Sequence, residues 1–230
     1  MEAKEVHAWL SRNGRRRTVE GMARFGIQAR QAYGVTMAQL LGLKRRIGKD
    51  HALALALWDS GWYEARLLAA LVGEPERLTR RQMNAWAAGF ENWADCDTAC
   101  FHLFDKSPFA WDKARQWAGS RHEFVKRGGF ALMASLALHD KAAADAKFLA
   151  FLPLVEGGAR DERNFVRKGV SWALRAIGRR NRALNAAALA VARRLADSEA
   201  AAPRWVGKDA LRDLASAKVA ARLARKRALA

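Results

Sequence analysis

Proline is scarce in this chain of 230 residues: Pro75, Pro108, Pro153 and Pro203 are the only four. Runs of β-branched residues are missing too, which argues against an all-β sandwich or barrel. No stretch of 18 or more apolar residues occurs, so no segment is long enough to span a bilayer as a helix. The opening residues, MEAKEVHAWLSRNG, lack the apolar core of a secretion signal. Cysteine is reduced to Cys96 and Cys100, four apart on one expected helix, a usage that fits reduced thiols in the cytoplasm rather than a disulfide framework. Cys96, Cys100 and His102 do not converge on one helix face, so neither a metal site nor a cofactor is expected. There is no phosphate-cradling glycine loop, and no Ser-His-Asp or Cys-His pairing follows from the spacing. Acid is the minority charge: 23 Asp and Glu against 41 Lys and Arg leave a net charge of +18. A pI near 11 points to a polyanionic partner.

What fills the chain is Ala, Leu and Arg at helical spacing, and the expected class is all-α. Helices are predicted over 2–12 and around Met22 and Phe25. Thr36 caps one that runs to Ile47, and Asp50 caps the next, HALALALWDS. YEARLLAALV follows Gly61. Thr79 opens a helix through Trp86, and Asn92 opens one through Phe104. Further helices are expected from Pro108 to Trp117, Arg121 to His139, Ala142 to Glu156 with Pro153 ending or kinking it, and from Asp161. The last are 185–196, 203–214 and a basic tail from Ser216. A charged residue recurs at the entry of similar segments, and Arg127, Lys168 and Asp209 stand at successive steps of 41 residues. That period is the size of HEAT or armadillo helix pairs, which stack into a solenoid with a concave face. No linker interrupts the chain, so a single domain over 1–230 is expected.

Three segments carry candidate chemistry. In DERNFVRKGVSWALRAIGRRN (161–181), Val166, Val170, Ala173, Leu174 and Ile177 form an apolar stripe. Lys168, Trp172, Arg175 and Arg179 line the opposite face. A Trp among cations suits a ligand that carries phosphate and an aromatic or cationic surface. In NWADCDTACFHLF, Trp93, Cys96, Asp97, Cys100 and Phe104 are read as one face, with Asp95 and His102 on the outer side. A carboxylate on such a face must be paired, protonated or functional. In RHEFVKRGGFALMASLALH, Arg127 shares its face with Phe124, Ala131, Ala134 and Leu138, while Lys126 looks elsewhere. Arg127 there needs an anion, either Asp97 or a phosphate. Gly128 and Gly129 admit a close neighbour, nucleic-acid backbone or another helix.

Taken together, these segments resemble the AlkD-type DNA alkylation repair proteins, a branch of the HEAT-like repeat DNA glycosylases. The resemblance runs from GMARFGI (21–27) through LWDSGWYEARLLA, NWADCDTAC, EFVKRGGFAL and DERNFVRKGVSWALRAIGRRN to RWVGKDALRDL. Its most specific pieces are Trp93-x-x-x-Asp97, the Arg of Val-Lys-Arg at Arg127, and Lys168-x-x-x-Trp172-x-Leu-Arg175. It implies a HEAT-like α-solenoid of stacked antiparallel helix pairs whose concave basic face holds duplex DNA containing alkylated purines. The implied activity is monofunctional hydrolysis of the N-glycosidic bond of cationic N3- or N7-alkylated purines, by a monomer in the cytoplasm, without membrane or metal. Asp97 corresponds to the catalytic carboxylate, Arg127 to the Arg beside it, and Trp93 and Trp172 to aromatics that pack on the lesion's deoxyribose. Lys168, Arg175, Arg179, Lys126, Lys208 and Arg212 are the DNA-binding set. The chain departs from its relatives at Ala94, where many carry an acid, and at Gly169 and Ser171, where an Ala and a Gly are frequent. The alternatives are a non-catalytic DNA or RNA scaffold on the same solenoid and an interaction module for acidic proteins.

Overall fold

Helix starts fall where polar caps stand. In the computed structural model, which describes residues 1–228 and side chains through 225, Thr36 and Thr79 each accept the backbone N–H three residues on, and a Gln at that position returns the bond. Asp50 accepts from Leu53 at 2.9 Å and Asn92 from Ala94 at 2.9 Å. Each such cap satisfies amide groups that the first helical turn leaves without partners and contributes about 1 kcal/mol. Among the described residues there is no strand. No helix of the described residues is long and apolar enough to cross a membrane.

The chain forms two compact units, Met1–Phe109 and Ala110–Ala230. The first holds α1 (Ala3–Asn13), α2 (Arg16–Met22), α3 (Met37–Ile47), α4 (His51–Asp59), α5 (Tyr63–Val72), α6 (Arg80–Ala88) and α7 (Trp93–His102). A 3-10 turn, Ala23–Phe25, continues α2, and another, Phe104–Lys106, follows α7. Leu40, Leu43, Leu57, Leu68, Leu71 and Met83 are fully enclosed, and Trp58 stacks on Trp86 at 4.2 Å. Helices α4 and α5 run antiparallel, since the Asp50 amide at the start of one reaches the Val72 carbonyl at the end of the other, 2.9 Å away.

The second unit holds α8 (Ala110–Ala118), α9 (Glu123–His139), α10 (Asp145–Leu149), α11 (Leu152–Gly158), α12 (Asn164–Gly178), α13 (Arg182–Ala196), α14 (Ala201–Leu214) and α15 (Ala217–Ala228). Helices α8 and α9 form an antiparallel pair: Trp111 donates to Asp140, 3.2 Å away, and Gly129 faces Ala118. A β-carbon on Gly129 would overlap the Ala118 backbone, so the close neighbour admitted there is a helix. Helices α13 and α14 pair the same way, with Gly207 against the Ala196 backbone and Asn185 donating to the Leu214 carbonyl.

Helix α12 lies between α9 and α14, and all three run in the same direction. Arg127 of α9 reaches the Phe165 carbonyl, and further along Arg180 reaches the Ala137 carbonyl. On the other side Ser171 meets Asp209 and Arg179 meets Asp213. These partners lie 34 to 43 residues apart, so the repeat read at 41 residues is realised as neighbouring parallel helices with antiparallel partners between them.

Several boundaries differ from expectation. The segment expected as one helix over 142–156 is two, because Pro153 sits in the first turn of α11 and starts that helix rather than ending its predecessor. In the first turn its missing N–H costs nothing. Asp161 does not open α12, which begins at Asn164; its carboxylate is taken by Arg163 and Lys126. The end of the basic tail read from Ser216 lies outside the described residues.

Candidate functional site

On α12 the two faces separate as their spacing dictates. Val166, Val170, Ala173, Leu174 and Ile177 are fully buried, while Lys168 is exposed and Trp172, Arg175 and Arg179 are half-exposed. Among the described residues Trp172 stacks on no ring and makes no hydrogen bond, so its indole face is available to a ligand.

The cations of this face are not equivalent. Arg175 lies 3.5 Å from Asp209 of α14, and Arg179 is ion-paired with Asp213. Asp209 also accepts from the Ser171 hydroxyl at 2.5 Å and stands 3.9 Å from Arg212. Ser171 is completely buried and holds Asp209 at the edge of the basic face. Arg175 and Arg179 therefore have their charge offset within the protein, and a phosphate must compete with Asp209 and Asp213 for them. Lys168 and Lys208 are exposed and have no acidic partner among the described residues, and Arg212 is 80% exposed. Lys126 is paired with Asp161 at 2.9 Å. The Arg163 guanidinium, with Lys126, holds the Asp161 carboxyl far below the usual carboxylate range, so this cluster stays charged through neutral pH.

Arg127 is 6% exposed and gives one guanidinium N–H to the Phe165 carbonyl at 2.6 Å. Gly169 makes room for it: a β-carbon there would lie 3.3 Å from the Arg127 Cγ. The two departures on α12 thus each support a charged neighbour, Gly169 the stem of Arg127 and Ser171 the carboxylate of Asp209.

In the first unit, α7 presents Trp93, Asp97 and Phe101 along one half-exposed row at successive turns. The row that faces the core is a different one, Cys96, Ala99, Cys100 and Leu103, and all four are fully buried. Asp97 is therefore not on the cysteine face. The acid that is buried is Asp95, at 2% exposure, although it was expected on the outer side. Asp95 is the third residue of the helix and completes a capping box with Asn92. It accepts from the amides of Glu91 (2.9 Å), Asn92 (3.2 Å) and Cys96 (2.7 Å). Burial pushes its carboxyl up to about 7, against those three amides and Arg66, which favour the ionised form. Trp93 is tethered from outside its own helix, its indole N–H donating to the Phe25 carbonyl at 2.9 Å.

Sequence reasoning missed Glu64. It is completely buried at the start of α5 and accepts from the amides of Tyr33 (2.8 Å), Gly34 (2.6 Å) and Val35 (3.2 Å). Its carboxylate fixes the loop between the Ala23–Phe25 turn and α3. The available signal was an acid in the first turn of an otherwise apolar helix, opposite a glycine that needs φ near +83°.

Residues 6–214 match a protein-family model described as DNA alkylation repair enzyme. No curated protein matches the chain. A solved structure described as "A new family of proteins related to the HEAT-like repeat DNA glycosylases with affinity for branched DNA structures" superposes with a TM-score of 0.76. The match covers 92% of this chain and 95% of that one at 19% identity. The likeness establishes a shared fold.

Proposed function

The chain belongs to the DNA alkylation repair enzyme family, and on that premise we propose that it is a monofunctional DNA glycosylase acting on cationic N3- or N7-alkylated purines in duplex DNA. The observation that carries this reading is the Trp93–Asp97 row: a half-exposed carboxylate one helical turn from an indole whose ring is fixed by the Phe25 carbonyl. An alkylated purine already bears a positive charge and departs as a neutral base. The remaining barrier lies in the oxocarbenium-like sugar and in placing a water. Asp97 supplies the negative charge that favours the developing cation, and the face of Trp93 supplies the electron-rich surface of its ring. Lys168, Lys208 and Arg212 hold phosphates directly, while Arg175 and Arg179 do so in exchange for their aspartates. Nothing in the assigned set protonates a leaving base, so a neutral base such as uracil is not a substrate.

The test is incubation of purified protein with methylated duplex DNA. Release of 3- or 7-methylpurine, leaving an unbroken strand with an abasic site, supports the reading; release of uracil from a uracil-containing duplex contradicts the mechanism. The second reading is a DNA-binding scaffold without excision. It is favoured by the description of the structurally similar protein, which has affinity for branched DNA. Tight DNA binding with no released base from any alkylated substrate would establish it instead.

A further inference from the structure

Phe25 is 70% exposed, the most exposed large apolar side chain described and the one aromatic among them. The backbone beneath it is anything but loose. Its carbonyl takes the Trp93 indole N–H, Gly26 closes the turn at φ +68° with its amide on the Ala23 carbonyl at 2.9 Å, and the Ile27 amide returns to Met22 at 3.2 Å. Met22, just before the turn, is buried and anchors it. A ring set out in solvent on a fixed base, bonded to a residue of the candidate site, is an arrangement that packing within the fold does not require.

Charge identifies what meets it. Arg24 adjoins Phe25, and Arg17 lies on the preceding helix, seven residues before Arg24 and so on the same side. Both are exposed, and neither has an acidic partner among the described residues. The ligand that offers anionic oxygens and a flat apolar face together is a nucleic acid with an open base. In an intact duplex every base face is covered by its neighbours. A base face is free where the stack is broken, at a gap, a branch point or an extruded nucleotide.

We propose that Phe25 is a stacking residue for an unstacked nucleobase beside the Trp93–Asp97 row, which gives the protein a preference for DNA whose stack is interrupted. This rests on the DNA reading above and adds to it a specificity determinant that acts through base stacking rather than charge.

The experiment compares affinities for an intact duplex, the same duplex with a one-nucleotide gap, and a three-way junction. The proteins are wild type, Phe25→Ala, Phe25→Trp and Arg24→Ala, each checked by thermal melting. Wild type is expected to bind gapped and branched DNA more tightly than the intact duplex. Phe25→Ala should reduce that preference about tenfold, within the range for loss of one base–aromatic stack. It should leave intact-duplex affinity and its salt dependence unchanged, because no charge is lost. Phe25→Trp should restore the preference, and Arg24→Ala should weaken all three DNAs alike and lower the salt slope. If wild type binds no DNA, the functional reading above fails. If wild type prefers interrupted DNA and Phe25→Ala keeps that preference, or wild type has none, the assignment of Phe25 is wrong while DNA binding stands. Self-association of wild type that Phe25→Ala abolishes would equally overturn it, making the ring a protein contact.

Discussion

Replacing Asp209 by Asn should tighten DNA binding, although it removes a charge-pair partner from the face proposed to bind. Asp209 accepts from Ser171 at 2.5 Å and lies 3.5 Å from Arg175 and 3.9 Å from Arg212. A phosphate held on Arg175 would stand about 7 Å from that carboxylate, where two unit charges repel by about 0.6 kcal/mol in water and about 2.4 kcal/mol at a protein surface. Screening at physiological salt, with a Debye length of about 8 Å, roughly halves this. The net expectation is about 1 kcal/mol, or roughly fivefold in affinity. Asn keeps an oxygen for the Ser171 hydroxyl, so the helix contact survives. Lys168→Ala is the counterpart. Lys168 has no internal acid to satisfy, so its loss should lower the slope of log affinity against log salt by about 0.9, which is about 3.5-fold between 50 and 200 mM salt. Fluorescence anisotropy with one duplex across that salt range measures both variants. If Asp209→Asn binds no more tightly than wild type at 50 mM, Asp209 does not compete with phosphate and the account of the paired arginines is wrong.

Further outcomes follow from the same geometry. Asp97→Asn should lower the single-turnover rate of base release on the order of a hundred- to a thousand-fold without lowering the melting temperature or weakening DNA binding, because Asp97 is half-exposed and carries no positive charge. Asp95 has its carboxyl raised to about 7 by burial, so the folded state holds a proton that the unfolded chain, titrating near 4, gives up. Its contribution to stability is complete below about pH 4 and declines as pH rises to 7, by on the order of 1 kcal/mol per pH unit, and then levels off; urea denaturation of wild type and Asp95→Asn should show the difference between them changing across that window and not above it. Met1–Phe109 and Ala110–Ala230 are expected to melt in one calorimetric transition, as one domain over 1–230; two resolved transitions would make them separate domains.

What could be read from the linear chain was what depends on neighbours within a turn or two. Thr36, Asp50, Thr79 and Asn92 mark helix starts because a cap acts on amides two or three residues away. The buried stripe of α12 follows from five apolar residues at helical spacing. The 41-residue step was legible because it repeats, and it surfaces as α9, α12 and α14 side by side. The faces of α7 were misassigned because the helix has only ten residues, and two acids two positions apart differ in face by half a turn. Asn92 with Asp95 three residues later was a capping-box signal that would have placed Asp95 inward. The neutralisation of Arg175 and Arg179 was the hardest to foresee. It depends on how α12 and α14 are set side by side, each arginine meeting an aspartate 34 residues on, and helical periodicity is silent on that. Even so, the same repeat places an acid, Asp209, one step on from Lys168.

The glycines at the helix seams set where this protein can change. At Gly129 and at Gly207 the backbone of one helix rests on the backbone of its antiparallel partner, and even a methyl group has nowhere to go. A flexible side chain elsewhere can turn aside, but a main chain cannot, so each seam tolerates a single residue type. The working face is the reverse case. Lys168 and Lys208 are exposed, outside the packing that fixes their helices. Substitutions there alter what the surface recognises without disturbing how the helices are joined. Variation in such a chain is therefore channelled: the joints stay closed to it, and the exposed cationic face remains open to change at little cost to folding.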